Sequence, residues 1–140
     1  MYAALNISTS ALTAYRTQID VIAGNIAMKD SVRRNADGEA VPYRRHVALF
    51  APGDSSRGNA GRGVHVSAIV EDPAPFGLRA DPNHPDAIRT GPHKGFVRTS
   101  NFDYHTEMVN AMTAARAYEA NVSVIEVIKS MAATSLRLIA

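Results

Sequence analysis

Both ends of the chain carry side chains spaced by threes and fours, and the middle does not. The first series is Leu5, Ser8, Leu12, Tyr15, Ile19, Ile22 and Ile26. The last is Tyr104, Met108, Ala111, Ala115, Tyr118, Val122, Ile125, Lys129, Ala132, Leu136 and Ile139. Such heptad spacing keeps one seam of a helix turned toward a partner helix. The pattern predicts a first helix over about residues 3–28, some 39 Å long, and a last helix over about 102–139, some 57 Å long. Thr9, Thr13 and Thr17 fall off the first seam, where weak helix formers cost least. Ser100 or Asn101 is placed to cap the last helix, with Asp103 and Glu107 in its first turns, where carboxylates favour the helix dipole.

The middle reads differently. Residues 29–42 look like a loop, with turn chemistry at Asn35-Ala36-Asp37-Gly38. Residues 43–50 read as a strand. Val64, Val66, Ala68 and Val70 alternate with period two and mark a second strand. The glycine-rich run between them suggests a long β-hairpin. Five of the seven prolines fall between residues 72 and 92, which excludes a helix or a central strand and points to an extended arm. Residues 95–99 form a short strand. The expected fold is mainly α with a β insert: antiparallel N- and C-terminal helices, coiled-coil-like, flanking a hairpin-containing, proline-rich middle. The corresponding segments are 1–28, 29–100 and 101–140.

Composition narrows the function. The chain has no Cys, so disulfides, thiolate metal sites and cysteine nucleophiles are excluded. A net charge of +2 argues against a general polyanion binder. Nine of the twelve Arg lie between Arg33 and Arg98, so the positive charge sits in the insert. The first residues lack a basic n-region, and Asn6, Ser8, Thr9, Ser10 and Thr13 interrupt any signal-peptide core, so no cleaved signal is expected. No run is long and apolar enough to span a bilayer, so direct membrane insertion is not expected.

Candidate chemistry is sparse. His46, His65, His84, His93 and His105 are scattered and form no His-x-x-x-His pair, so no metal or other cofactor is expected. Arg57-Gly58-Asn59-Ala60-Gly61-Arg62-Gly63 lacks the Lys and Ser/Thr of a phosphate loop, though its Arg-Gly spacing leaves a nucleic-acid-binding module as the alternative reading. In Asp81-Pro82-Asn83-His84-Pro85-Asp86, the prolines favour a rigid turn whose carboxylates bond local backbone N–H groups over an acid–base site. No catalytic constellation emerges, and the chain reads as a non-enzyme.

The strongest signal is a surplus of apolar surface. Beyond its seam, the last helix carries Val109, Met112, Val124, Val127, Ile128, Met131 and Leu138. A partner helix of about 26 residues and a small insert cannot cover them all. At about 25 cal/mol per Å2, leaving them wet would cost many kcal/mol. Packing against copies of itself or close relatives is the expected remedy. Lys129 and Arg116 would then set register rather than add stability.

These residues also resemble a known family. Ser8-x-x-Ala11-Leu12 and Ile19-Asp20-x-Ile22-x-x-Asn25-Ile26-Ala27 are similar to the N-terminal signature of bacterial flagellar rod and hook axial proteins. Asn101-x-Asp103-x-x-x-Glu107-Met108-Val109 and Ala115-Arg116-Ala117-Tyr118-Glu119-Ala120-Asn121-Val122 are similar to their C-terminal signature. Asp81-Pro82-x-His84-Pro85-Asp86-Ala87 and Gly95-Phe96-Val97 resemble the proximal-rod branch. Three places depart from the family pattern: Met28-Lys29-Asp30 replaces a second Asn and a Ser/Thr-rich turn, Ser100 stands for a Pro, and Ala80 for an aromatic. The resemblance implies a structural subunit of the proximal rod, assembled helically in the periplasm to carry torque toward hook and filament. It implies export through the flagellar type III apparatus. The implied partners are copies of itself, other rod proteins and components on the export-gate and MS-ring side, with no nucleic acid. Subunit packing is expected to involve Leu5, Leu12, Ile19, Ile22, Asn25, Ile26, Met108, Ala115, Arg116, Tyr118, Asn121, Val122, Ile125 and Leu136.

Overall fold

The computed structural model describes residues 2–36, 38–53 and 63–139, apart from the side chains of Tyr2, Leu138 and Ile139. Among these residues, two helices, α1 (Tyr2–Ala27) and α2 (Tyr104–Ile139), flank six short strands. The strands are β1 (Val32–Arg34), β2 (Ala40–Pro42), β3 (His46–Pro52), β4 (Val64–Glu71), β5 (Gly77–Ala80) and β6 (Phe96–Thr99). They pair in order as three antiparallel hairpins, β1–β2, β3–β4 and β5–β6. The chain is mainly helical with a β insert, as its periodicity predicts.

Helix α1 packs on α2 and also on strands β3 and β4. Its off-seam threonines Thr13 and Thr17 donate their hydroxyls to the carbonyls of Thr9 and Thr13, one turn back. The most buried positions of α1 are Ser8, Ala11, Ala14, Ile22 and Asn25, and on α2 they are Glu107 and Ala114. The inner line therefore runs beside the one that large apolar residues suggest. Small side chains occupy the closest approach, where bulk would push the elements apart. Leu5, Leu12, Tyr15, Ile19 and Ile26 flank that line half-buried.

The β3–β4 hairpin lies on α1 through a few specific contacts. Tyr15 and Phe50 meet edge to face with ring centroids 5.6 Å apart. The Ser10 hydroxyl donates to the Ile7 carbonyl at 2.7 Å and accepts the Val64 N–H at 3.1 Å. Gly63 sits at φ +129°, and a Cβ there would strike the Ser10 side chain. Gly63→Ala is therefore expected to cost about 1–3 kcal/mol through backbone strain and overpacking. The check is easier proteolysis of the hairpin, with Gly53→Ala as the comparison.

Two local expectations need correction. Residues 29–42 are not a plain loop, because they hold the β1–β2 hairpin. The Asn35 side chain accepts the Glu39 N–H at 2.8 Å, and Gly38 supplies the positive φ of 76° that closes the turn. The cap of α2 is Asp103, not Ser100 or Asn101: its carboxylate accepts the Thr106 N–H at 3.0 Å. Ser100 and Asn101 are engaged elsewhere, Ser100 by donating to the Lys29 carbonyl. Within the proline-rich arm, the proline-free stretch 77–80 forms β5 against β6.

Candidate functional site

The polar centre of the molecule lies where both helices meet the insert. Asn25, near the end of α1, is fully buried and uses every hydrogen-bonding position of its amide. Its Nδ2 donates to the His46 carbonyl at 2.8 Å and to Glu107 Oε2 at 3.1 Å. Its Oδ1 accepts the His46 N–H at 2.9 Å and the Tyr43 hydroxyl at 3.2 Å. Two donors and two acceptors exhaust what an amide offers. One side chain thus ties α1 to the start of β3 and to the first turn of α2.

Glu107, also 0% exposed, is the second hub. Its Oε1 accepts Arg45 Nε at 2.7 Å and Asn110 Nδ2 at 3.2 Å, and lies 2.7 Å from Arg45 Nη2 as an ion pair. Arg45 Nη1 lies 3.3 Å from Asp72 Oδ2, so one guanidinium joins α2 to the end of β4. Asn101 accepts the Arg45 N–H at 2.8 Å and donates to the Asp72 and Ala74 carbonyls. Arg44 donates to those same two carbonyls at 2.9 Å and stacks over the Phe76 ring at 4.4 Å. Every element that enters this junction is held by at least two directional bonds.

The electrostatics follow. The Asp72 carboxyl is held below the usual carboxylate range, chiefly by the Ala74 N–H and then by the Arg45 and Arg44 charges, against an opposing desolvation. Asp103 is likewise lowered, chiefly by the Thr106 N–H. Burial pushes the Tyr43 hydroxyl above its ordinary range, and the Glu71 charge adds to this. A lowered acid contributes stability above its unfolded pKa and loses it as pH falls through the folded one; a raised phenol does the reverse. The contribution of these three groups is therefore expected to fall away below about pH 4 and again above about pH 10. Thermal melts across that range check it, and Asp72→Asn should flatten the acid limb.

The residues expected to pack subunits divide into three groups. Ile22 and Asn25 are buried within the chain itself. Leu5, Leu12, Ile19, Ile26, Ala115, Tyr118, Asn121, Val122 and Ile125 are half-buried. Met108, Arg116 and Leu136 are exposed, Leu136 at 69%. Sequence reasoning missed Glu107, Arg45 and Asn101 as a unit. Glu107 reads as an acidic residue suited to a helix N-terminus, and Arg45 as one of many surface arginines. The only hint was polar Asn25 interrupting an apolar helix face.

Opposite the seam, α2 presents Val109, Met112, Val124, Val127 and Met131 to solvent, with Arg116 among them. On the hairpin, Leu49, Phe50, Ile69 and Val70 are also exposed. The buried apolar side chains among the described residues are Ala11, Ala14, Ile22, Pro42, Val97 and Ala114, a very small core. The chain exposes 9668 Å2, whereas a compact monomer of 15.0 kDa exposes about 7,000 Å2. The excess is comparable with what a permanent interface buries.

The Asp81–Asp86 segment is a turn, with the His84 N–H bonded to the Asp81 carbonyl. Its carboxylates do not serve it as expected: Asp86 pairs with Arg34 at 2.6 Å, Asp81 lies 3.7 Å from Arg79, and His84 Nδ1 accepts the Asp86 N–H. Among the described residues, no group of three His, Asp or Glu could hold a metal ion. The Arg57–Arg62 loop lies outside the described residues, and nothing in the fold favours the nucleic-acid reading built on it. Among the described residues, no helix is long and apolar enough to cross a membrane.

Residues 93–138, covering β6 and most of α2, match the family model described as flagellar basal body rod FlgEFG protein C-terminal. Along nearly its whole length the chain is similar to proteins called flagellar basal-body rod protein FlgC. The one from Borreliella burgdorferi is 39% identical over 151 residues, covering 99% of this chain and 97% of the relative. The one from Bacillus subtilis is 41% identical, covering 96% and 95%. The one from Escherichia coli O157:H7 is 40% identical, covering 95% and 93%.

Proposed function

Since the chain belongs to the FlgC family of flagellar basal-body rod proteins, and so is a structural protein of the rod, we propose that it assembles helically through its terminal helices and transmits torque toward hook and filament. The observation that carries this reading is the uncovered apolar back of α2, together with an exposed area too large for a lone compact chain. Neighbouring helices laid against that back would remove it from water. Leu12, Ile19, Tyr118, Val122 and Ile125, on the seam side and half-buried in the single chain, would complete their burial under other neighbours.

Torque transmission requires stiffness in two places. Between subunits, interlocked helices resist twisting because a slip unseats many side chains at once. Within a subunit, the Asn25–Glu107–Arg45–Asp72 junction fixes the insert to the helix pair. Load reaching the insert would pass into both helices through buried, mutually satisfied hydrogen bonds, which do not rearrange cheaply. In this reading residues 1–28 and 101–140 form the inner layer of a tube and residues 29–100 lie outside it. The partners are further copies, other rod proteins and components near the export gate and MS ring. Passage through the type III apparatus in an unfolded state suits a chain without Cys and with so small a core.

A cryo-EM map of isolated basal bodies tests the proposal. The expected result is an antiparallel helix pair of this chain in the inner rod wall, with Val109, Met112 and Val127 against neighbouring helices. A map in which that back faces open water would contradict it.

A further inference from the structure

The insert carries a row of cations that, among the described residues, its own carboxylates do not neutralise. Arg89 lines the groove under the β1–β2 hairpin together with Arg34 and Arg98, and it also lines the adjoining groove that Lys94 borders. The local acids are already engaged: Asp86 by Arg34 at 2.6 Å, Asp81 by Arg79 at 3.7 Å and Glu39 by Arg98 at 3.7 Å. Arg89 and Lys94 are exposed, and among the described residues neither has a carboxylate within ion-pair distance.

Helix α2 carries the complementary feature. Glu119 and Glu126 are exposed and seven residues apart, so they share one side of the helix about 10.5 Å from each other. They border the apolar back formed by Met112, Val124 and Val127. Among the described residues, neither pairs with a cation, although Arg116 and Lys129 each stand three positions away on the same helix. The imbalance extends to whole segments. Residues 29–100 hold eleven Lys and Arg against eight Asp and Glu, while the two terminal segments hold four against five.

We infer that the Arg89–Lys94 row of one copy seats on the Glu119–Glu126 row of a neighbouring copy, bringing the insert of each subunit down on the helix pair of the next. The inference rests on the rod-subunit reading and adds to it the side on which neighbouring copies meet. Opposite charges at the rim of an apolar contact select register and partner more than they add affinity. The free Glu row lies at the border of the surface that assembly must cover, which is where such selection acts.

The absence of Cys makes the test direct. Cells would co-produce one chain with Arg89→Cys or Lys94→Cys and another with Glu119→Cys or Glu126→Cys. Isolated basal bodies would then be treated with a flexible bis-maleimide. At least one of the four mixtures is expected to give a dimer of this chain, while each single variant alone gives none. In parallel, Arg89→Glu/Lys94→Glu should reduce swimming at least ten-fold, and adding Glu119→Lys/Glu126→Lys should restore most of it. Basal bodies that contain the chain but give no dimer, or give cross-links only to another protein, would overturn the inference and leave the rod reading standing. Absence of the chain from basal bodies would sink both.

Discussion

Glu107→Ala is expected to destabilise the junction by about 3–5 kcal/mol, the usual consequence of removing one member of a buried ion pair. The loss has identifiable parts. Arg45 keeps only Asp72, at 3.3 Å. Asn25 Nδ2 loses one of its two acceptors, and Asn110 loses its partner. Amide exchange at residues 45–47 and at the start of α2 should accelerate, and urea unfolding should begin at lower denaturant. Glu107→Gln should recover part of the loss, because its carbonyl can still accept from Arg45. Replacing both charges, in Arg45→Met/Glu107→Leu, should be milder than Glu107→Ala, since the one carboxylate it deprives of Arg45, Asp72, is partly open to water and keeps the Ala74 N–H. If the double variant swims poorly while folding well, the junction's directional bonds matter for stiffness beyond stability. A Glu107→Ala chain with unchanged exchange and normal swimming would contradict the assigned role.

Ile19→Asp and Tyr118→Asp should each abolish motility. Both side chains are half-buried in the single chain, flanking the inner line. A carboxylate there is tolerable while one side remains open to water. Closing neighbours over it would require burying an unpaired charge, which costs several kcal/mol per subunit and is repeated at every copy. On the proposed export route, secretion should be unaffected, because a chain passed unfolded is insensitive to its packing side chains. The expected phenotype is secreted subunit, absent rods and non-motile cells. Normal motility in both variants would count against the packing role.

The sequence made some levels of the structure legible and hid others. Helix periodicity located α1 and α2 to within about two residues, and period-two alternation located β4, because these signals are spread over many positions. The β1–β2 hairpin was invisible. Each strand has three residues, too few for a period, and Val32-Arg33-Arg34 is exposed throughout. The seam meets its most buried line at Ser8 and Ile22 but lies one position away from it at Leu12, Tyr15 and Ala115, where Ala11, Ala14 and Ala114 take the closest approach because they lack bulk. The junction was hidden for a different reason. Glu, Arg and Asn read as solvent-facing when taken singly, and only the meeting of residues 25, 45, 72, 101 and 107 in space makes them a buried set. The cap was displaced by the same set, because Asn101 is drawn off to Arg45, Asp72 and Ala74, leaving Asp103 to start the helix.

The claim beneath the whole account is that the helices are incompletely covered until neighbours arrive. Helix α2 outruns α1 by ten residues, about 15 Å, and the buried apolar core is too small to offset the ordering of two long helices. Amide exchange of the purified chain, compared with the same chain in isolated basal bodies, tests this most directly. The account predicts fast exchange in the free chain over residues 5–26 and over α2 away from the junction, and strong protection of both once assembled. A monodisperse free monomer strongly protected across residues 5–26 would contradict it.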